Sequence, residues 1–355
     1  MATEVPVERR VWRRSKGPAP YQLEQHTEAI PNPLPPTSIL ICIHALSLNY
    51  RDANMLNGTN PWPIVEQGIP CSDAAGEVIA VGSHVSRFKL GDRVCPILDQ
   101  ASITGNEQSR IWLAADVEGV LASHYIVDEQ LAVSIPQHLT WAEAACLPNA
   151  GVTAWASLVT EGRRLVAGQT VVVTGTGGVS MMALKFALAG GCRVIATSSS
   201  DAKLEQLKKT FGRDGRDGRL RTINYKKNTH WDQAIPQLNN GVGADILLES
   251  AGASGTLQAI RAVKKGGTVS QVGYLGDQDP KHLEGLIALL IDKTVDFRGI
   301  NCGSRLDFER MNELIAATKL RFEDVIDRRF GYGETKEAFE YLWSGKHVGK
   351  VVIEI

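Results

Sequence analysis

The chain of 355 residues is short of several things, and each shortage closes off a class of protein. Its formal net charge is −1, with 38 basic and 39 acidic side chains, so no basic excess argues for nucleic acid or an anionic membrane as a partner. No apolar run approaches the roughly 20 residues needed to span a bilayer. The first residues, MATEVPVERRVWRRSKG, contain no apolar signal core and carry acids that a transit peptide avoids; the last, VVIEI, carry no lipidation or retention signal. The cytosol is therefore the expected compartment. Cysteine is sparse: the six, at positions 42, 71, 95, 146, 192 and 302, include no CxxC pair, so neither a disulfide framework nor a structural zinc knuckle is expected. Cys42 and Cys192 fall in apolar runs, where the thiol behaves as a small buried hydrophobe. Internal repeats and low-complexity tracts are absent. What remains is ordinary globular composition, 43% hydrophobic and 22% charged, over a length that suggests two domains.

One further absence falls inside the most informative stretch, 170–203, TVVVTGTGGVSMMALKFALAGGCRVIATSSSDAK. A β-branched run at 171–173 leads into Gly175-x-Gly177-Gly178. Val179, Met182, Ala183, Phe186 and Ala187 then recur at the spacing of one helix face. A strand, a glycine turn and a helix in this order make a dinucleotide site: the turn lets a pyrophosphate approach the backbone, and the helix N-terminus offers unpaired N–H groups. The last position of the motif is Ser180 rather than glycine. A second strand, 192–197, follows, and in NAD enzymes an acid near its end binds the ribose hydroxyls. Here Thr197-Ser198-Ser199-Ser200 stand there, with no carboxylate before Asp201. Hydroxyls and Lys203, one helical turn on, suit a 2′-phosphate, so NADPH is expected; Ser199 or Ser200 can equally cap the next helix.

The segment to residue 155 reads as β-rich, with strands at 38–46, 76–81 and 121–127 and turns at Gly82-Ser83 and Gly91-Asp92. From 156 to 303 strands and helices alternate. Helices are expected at 202–210, 231–238 and 256–263, and strands at 221–225, 244–248, 268–272 and 297–300. Pro236 is expected to end the second of those helices early. This alternation implies a parallel sheet covered on both faces. The GRDGRDGR stretch, 212–219, reads as a solvated loop. The tail, 304–355, adds helices at 308–318 and from 334, with a short segment at 325–330 and a terminal strand at 351–355. Its simplest reading returns to the first domain, leaving the nucleotide domain as an insertion and the nicotinamide in the cleft.

The motifs SLNYRD (47–52), DAAGEVIAVGSHVSRFKLGDRV (73–94), LPNAGVTAW (147–155), TGTGGVS (174–180), INY (223–225) and HVGKVVI (347–353) together resemble the medium-chain dehydrogenase/reductase superfamily over nearly the whole chain. The branch it is most similar to is the zinc-independent one of quinone-oxidoreductase-like and enoyl-reductase-like members. The resemblance implies an α/β fold in which a Rossmann domain is inserted in a GroES-like β-rich substrate domain, and a homodimer through the last Rossmann strand. Zinc-dependent members carry a cysteine at the position of Tyr50 and His-Glu at that of Ser72-Asp73, and closely spaced cysteines in the lobe that is 96–120 here. None is present, so no metal is expected.

The resemblance also assigns roles. Asn49, assisted by Thr153, would bond the nicotinamide carboxamide, or Asn49 would only cap a turn. Gly177, Gly178 and Val179 would contact pyrophosphate. Ser198, Lys203 and Tyr225 would form the 2′-phosphate pocket, with strand-end packing as the other reading of Tyr225. Ala251-Gly252 and Gly273 would lie along the nicotinamide ribose, Cys302 and Gly303 would flank the carboxamide, and Gly349-Lys350 would return to the cofactor unless Lys350 is a solvated strand residue. Tyr50 and Tyr274 are the candidate catalytic phenols, and Tyr50 has a backbone-bonded scaffold role as its alternative. Enoyl reductases of the branch carry a tyrosine after the glycine equivalent to Gly58; Thr59-Asn60-Pro61 here count against an enoyl thioester.

Without a Lewis acid, hydride addition to an activated C=C is easier than reduction of a simple ketone, because its charge spreads into an enolate that a few hydrogen-bond donors stabilise. The expected activity is thus NADPH-dependent reduction of a small enone, quinone or enoyl substrate, in a biosynthetic pathway if the substrate is larger. Alcohol oxidation or carbonyl reduction is the alternative, and a non-catalytic NADP-binding protein the third reading.

Overall fold

The computed structural model describes residues 5–159, 165–212 and 218–355. Most of the 212–219 loop lies outside them. The chain divides into two compact units, Met1–Val152 with Cys302–Ile355, and Thr153–Asn301. The joints thus fall at 152/153 and 301/302, a few residues before the expected 155/156 and 303/304.

The first unit opens with an antiparallel hairpin of β1 (Glu8–Arg14) and β2 (Leu23–Ala29). Its sheet is built around β3 (Ser38–Leu48), whose residues are almost all buried. That strand leads directly into α1 (Tyr50–Asn57). Then come β4 (Asp73–Val81), β5 (Arg93–Pro96), β6 (His124–Asp128), β7 (Ala132–Ser134), α2 (Trp141–Ala145) and one π-helical turn, Leu147–Gly151. The helix α3 (Val152–Leu158) begins at the joint.

In the second unit, β8 (Thr170–Thr174), β9 (Arg193–Ser198), β10 (Leu220–Asn224), β11 (Ala244–Glu249), β12 (Val263–Gln271) and β13 (Asp296–Gly299) form one parallel sheet, ordered β10-β9-β8-β11-β12-β13. Five helices connect them: α4 (Gly178–Ala189), α5 (Asp201–Phe211), α6 (Trp231–Leu238), α7 (Ala253–Ala262) and α8 (Leu286–Lys293). This is the Rossmann order, with its switch point between β8 and β11. Val172, Ile195, Leu247 and Val269 of the strands pack with Trp231, Ile235, Ala259 and Ile260 of the helices in one core. Pro236 does not end α6 early: the helix runs on to Leu238. A proline that late forfeits a single backbone bond, and its own carbonyl accepts N–H groups from Asn239 at 3.0 Å and Gly241 at 2.8 Å.

The chain then re-enters the first unit with α9 (Arg305–Thr318), β14 (Ile326–Gly331), α10 (Thr335–Trp343) and β15 (Lys350–Glu354). β15 pairs antiparallel with β3, giving the sheet order β14-β15-β3-β4-β5-β7 with β6 also on β3. The carboxylate of Glu143 fastens this return. It accepts from Arg321 Nε at 2.8 Å, from the N–H groups of Phe322 at 2.7 Å and Glu323 at 3.1 Å, and from Thr140. Burial would raise its pKa, but these bonds outweigh burial and hold it down at about 2.

Candidate functional site: a dinucleotide cradle and a buried polar cluster

In the second unit the turn after β8 opens as the glycine spacing demands. Gly175 has φ +81°, in the left-handed region, and a Cβ on Gly177 would meet nothing within 4 Å. The backbone there is clear for a ligand. Gly177 caps α4 with Gly178 and Val179 in its first turn, so their N–H groups lie at the positive end of a twelve-residue helix. Ser180 takes the place of the third glycine by another route: its hydroxyl donates to Thr174 O at 2.8 Å and ties helix to strand.

At the end of β9 the structure brings the expected phosphate residues together. Ser198 is buried, and Tyr225 N donates to its carbonyl at 3.1 Å, while the Tyr225 ring is partly exposed. Ser200 caps α5, accepting from the N–H of Lys203. The serine run thus does cap the helix. The Asp201 carboxylate is bonded by Asn224 Nδ2 at 2.7 Å and Lys227 Nζ at 2.6 Å.

The turns after β11 and β12 are knitted by two residues that sequence reading passed over. Glu249, almost fully buried, accepts from the N–H groups of Ala251 at 3.0 Å and Gly252 at 2.7 Å and from Gln271 Nε2 at 2.7 Å. Burial raises its carboxyl pKa despite these bonds. Gln278 Nε2 donates to the carbonyls of Ala251 at 2.8 Å, Tyr274 at 3.1 Å and Gly276 at 2.7 Å. Gly273 packs so tightly on Ser250 that a Cβ would lie 2.7 Å from its carbonyl oxygen. Tyr274 itself is 41% exposed. Thr153 is buried at the start of α3, its carbonyl accepting from Ser157.

The first unit holds a different arrangement. Lys350, 2% exposed, begins β15, and its ammonium donates to Leu48 O at 2.9 Å and Asn49 Oδ1 at 2.6 Å, with the carboxylate of fully buried Asp73 at 3.6 Å. Ser72 Oγ and the Asn149 N–H also bond Asp73. An ammonium only donates, so the Asn49 atom facing it must be the oxygen, and the Asn49 amide nitrogen is thereby turned away. Among the described residues that buried nitrogen has no acceptor. Asn49 N donates to Asp52 Oδ2 at 2.8 Å, and burial lifts the Asp52 carboxyl to about 6. Tyr50 is not in this cluster; it is 42% exposed, with its ring stacked on Trp343 at 6.1 Å. Cys302 is buried with its thiol donating to Pro148 O at 3.6 Å, and Gly303 follows it. Gly349 has φ +88°, and a Cβ there would strike Val325 O, so packing alone requires glycine. Lys350 is a buried anchor and not a solvated strand residue. The signal for it was present: one charge in the apolar run VGKVVI.

A GroES-like sheet and a Rossmann sheet with an open glycine turn define a dinucleotide-dependent oxidoreductase. Two family models match: an alcohol dehydrogenase GroES-like domain over residues 35–137 and a zinc-binding dehydrogenase domain over 178–317. A zinc-type alcohol dehydrogenase-like protein of Schizosaccharomyces pombe is 35% identical over 94% of this chain and 95% of its own. Another from Leptosphaeria maculans is 31% identical over the same shares. A crystal structure of a candidate alcohol dehydrogenase from Sinorhizobium meliloti superposes with a TM-score of 0.86 at 32% identity, covering 99% of this chain and 100% of the other. The chain belongs to the medium-chain dehydrogenase/reductase superfamily. The open backbone at Gly177 fits the pyrophosphate of the dinucleotide the family uses. The positions the resemblance gives to zinc ligands hold other groups: Asp73 faces the Lys350 ammonium at 3.6 Å, and no three His, Cys, Asp or Glu side chains meet among the described residues. Among those residues, too, no helix is long and apolar enough to cross a membrane.

Proposed function

We propose that the protein is an NADPH-dependent, zinc-independent reductase that adds hydride to an activated C=C of a small enone, quinone or enoyl substrate. The observation that carries this reading is the Lys350–Asn49 pair: a buried ammonium, facing Asp73 at the position of a zinc ligand in zinc-dependent members, fixes an amide that can only donate to oxygen. Bound reduced nicotinamide supplies the hydride. The N–H groups of Gly177, Gly178 and Val179 hold the pyrophosphate, and Ser198, Lys203 and Tyr225 the 2′-phosphate. Ala251, Gly252 and Gly273 supply the backbone along the ribose, with Thr153, Cys302 and Gly303 near the carboxamide. Asn49 presents its N–H to a carbonyl oxygen of the bound ligands. When hydride reaches the β-carbon, the C=C electron pair moves toward the carbonyl oxygen, which a fixed donor stabilises as it becomes an enolate. A phenol, Tyr274 or Tyr50, then delivers the proton to the α-carbon.

A second reading, oxidation of an alcohol or reduction of a carbonyl, is favoured by the likeness to the zinc-type alcohol dehydrogenase-like proteins of Schizosaccharomyces and Leptosphaeria. NADPH consumption measured against enones, quinones and enoyl thioesters, with simple aldehydes and ketones alongside, separates the two. Turnover confined to the first group supports the C=C reading, and turnover confined to the second rejects it. NADPH binding without turnover on any of them points to the third, non-catalytic reading. We place the protein in the cytosol, supported by six free thiols. We also propose a homodimer, supported by the unpaired edge of β13 and by Ile287 and Ile291, 67% and 71% exposed on one face of α8.

A further inference from the structure

The turn from β9 into α5 contains one acid, Asp201, at the first position of the helix. It is the first carboxylate after the strand whose end selects between coenzymes, and both of its oxygens are taken. Asn224 Nδ2 holds Oδ1 at 2.7 Å, and Lys227 Nζ holds Oδ2 at 2.6 Å. Asn224 cannot turn its amide round, because its own oxygen accepts the N–H groups of Lys226 at 3.0 Å and Lys227 at 3.3 Å, while Nδ2 also points to Ser199 O. The bracket therefore presents donors to Asp201 and nothing else. Parallel pairing sets it in place: Asn224 of β10 stands opposite Ser198 of β9, beside the same serine run. The Lys227 and Asn224 bonds keep the Asp201 carboxyl below its ordinary pKa, so the group is ionised at every working pH and its charge must be answered.

From this we infer that Asn224 and Lys227 are specificity-determining residues: they clamp and neutralise Asp201, so that the pocket at the end of β9 favours a 2′-phosphate over a bare ribose diol. The inference rests on the NADPH reading above for its direction, but its mechanism is a coupling between side chains that can be read by itself. Released from the bracket, a carboxylate in this turn repels a phosphate and can accept from ribose hydroxyls. Lys227 acts through Asp201, as a positioning residue.

A double-mutant cycle on the intact protein tests this, reading dissociation constants for NADPH and NADH by coenzyme fluorescence at fixed ionic strength. K227A lowers the preference for NADPH, the ratio of the NADH to the NADPH constant, by about tenfold, equivalent to about 1.4 kcal/mol. Introduced into D201N, the same change moves the ratio less than about twofold, because the group it restrained no longer carries charge. N224A shifts the ratio in the same direction as K227A. Asp201 and Lys227 are exposed and Asn224 is half-buried at the end of β10, and thermal melts of each variant check that it folds. An undiminished K227A effect in the D201N background means that Lys227 meets the phosphate itself and overturns the inference, as does a K227A ratio equal to that of the parent. A parent protein that prefers NADH rejects the coenzyme reading, while the cycle still reports whether Lys227 works through Asp201.

Discussion

At the scale of single residues, the account turns on which atom of Asn49 faces outward. Lys350 decides it, since an ammonium accepts nothing and takes the amide oxygen. The remaining N–H is an orphaned buried donor, costing about 1–3 kcal/mol until an acceptor arrives. Asn49→Asp separates this role from packing. The new carboxylate keeps Lys350 as its partner, so the melting temperature holds, while the outward donor is gone and kcat/KM falls on the order of a hundredfold. Thermal melts with steady-state kinetics check both halves; unchanged kcat/KM would remove Asn49 from the chemistry. Sequence reading assigned Asn49 to the nicotinamide carboxamide or to a turn cap, gave Lys350 a cofactor role or a solvated strand position, and made Tyr50 the leading phenol. The spacing of SLNYRD says that Asn49 and Tyr50 are neighbours, but not that the first caps α1 while the second stacks on Trp343.

At the scale of elements, most of the Rossmann half was legible, because its strands are short apolar runs between turns and four of its five helices were marked in the sequence. The fifth, α8 (LIALLIDK), was passed over because a short apolar run does not separate helix from strand. The hairpin β1–β2 was not legible either, since ERRVWRR and LEQHTEA are rich in charge and lack the alternation that marks a half-buried strand; several of those charges, Arg14 above all, are nonetheless buried or half-buried. The eight residues of α1 are too few for a periodic pattern, and the helix is held by the Asn49–Asp52 cap. The fastening of the tail by Glu143 was equally hidden, because its partners lie far along the chain. It makes a pH prediction. The Glu143 pKa is depressed from 4.5 to about 2, so its contribution is complete above pH 4.5 and is lost as the pH falls toward 2. Glu143→Gln should cost about 3 kcal/mol at neutral pH, as expected when a buried charge partner is removed. Denaturant melts of the two proteins should converge on acidification, and a gap that persists at pH 2 would assign the loss to packing.

At the scale of the whole molecule, a chain that leaves one sheet, builds a second and returns to the first was readable from the shift between β-rich and alternating patterns. What the sequence could not convey was the chemistry set by the return: β15 lies against β3, and this carries Lys350 to the end of the strand that bears Asn49. That juxtaposition engages Asp73, whose position the resemblance gives to a zinc ligand, and the proposed reading is therefore also a claim about metals. The most direct measurement is the zinc content of the purified protein, taken with its NADPH-dependent turnover before and after exhaustive chelation. The account predicts substoichiometric zinc and unchanged turnover. One zinc per chain, with activity lost on chelation and restored by adding the metal back, would contradict it.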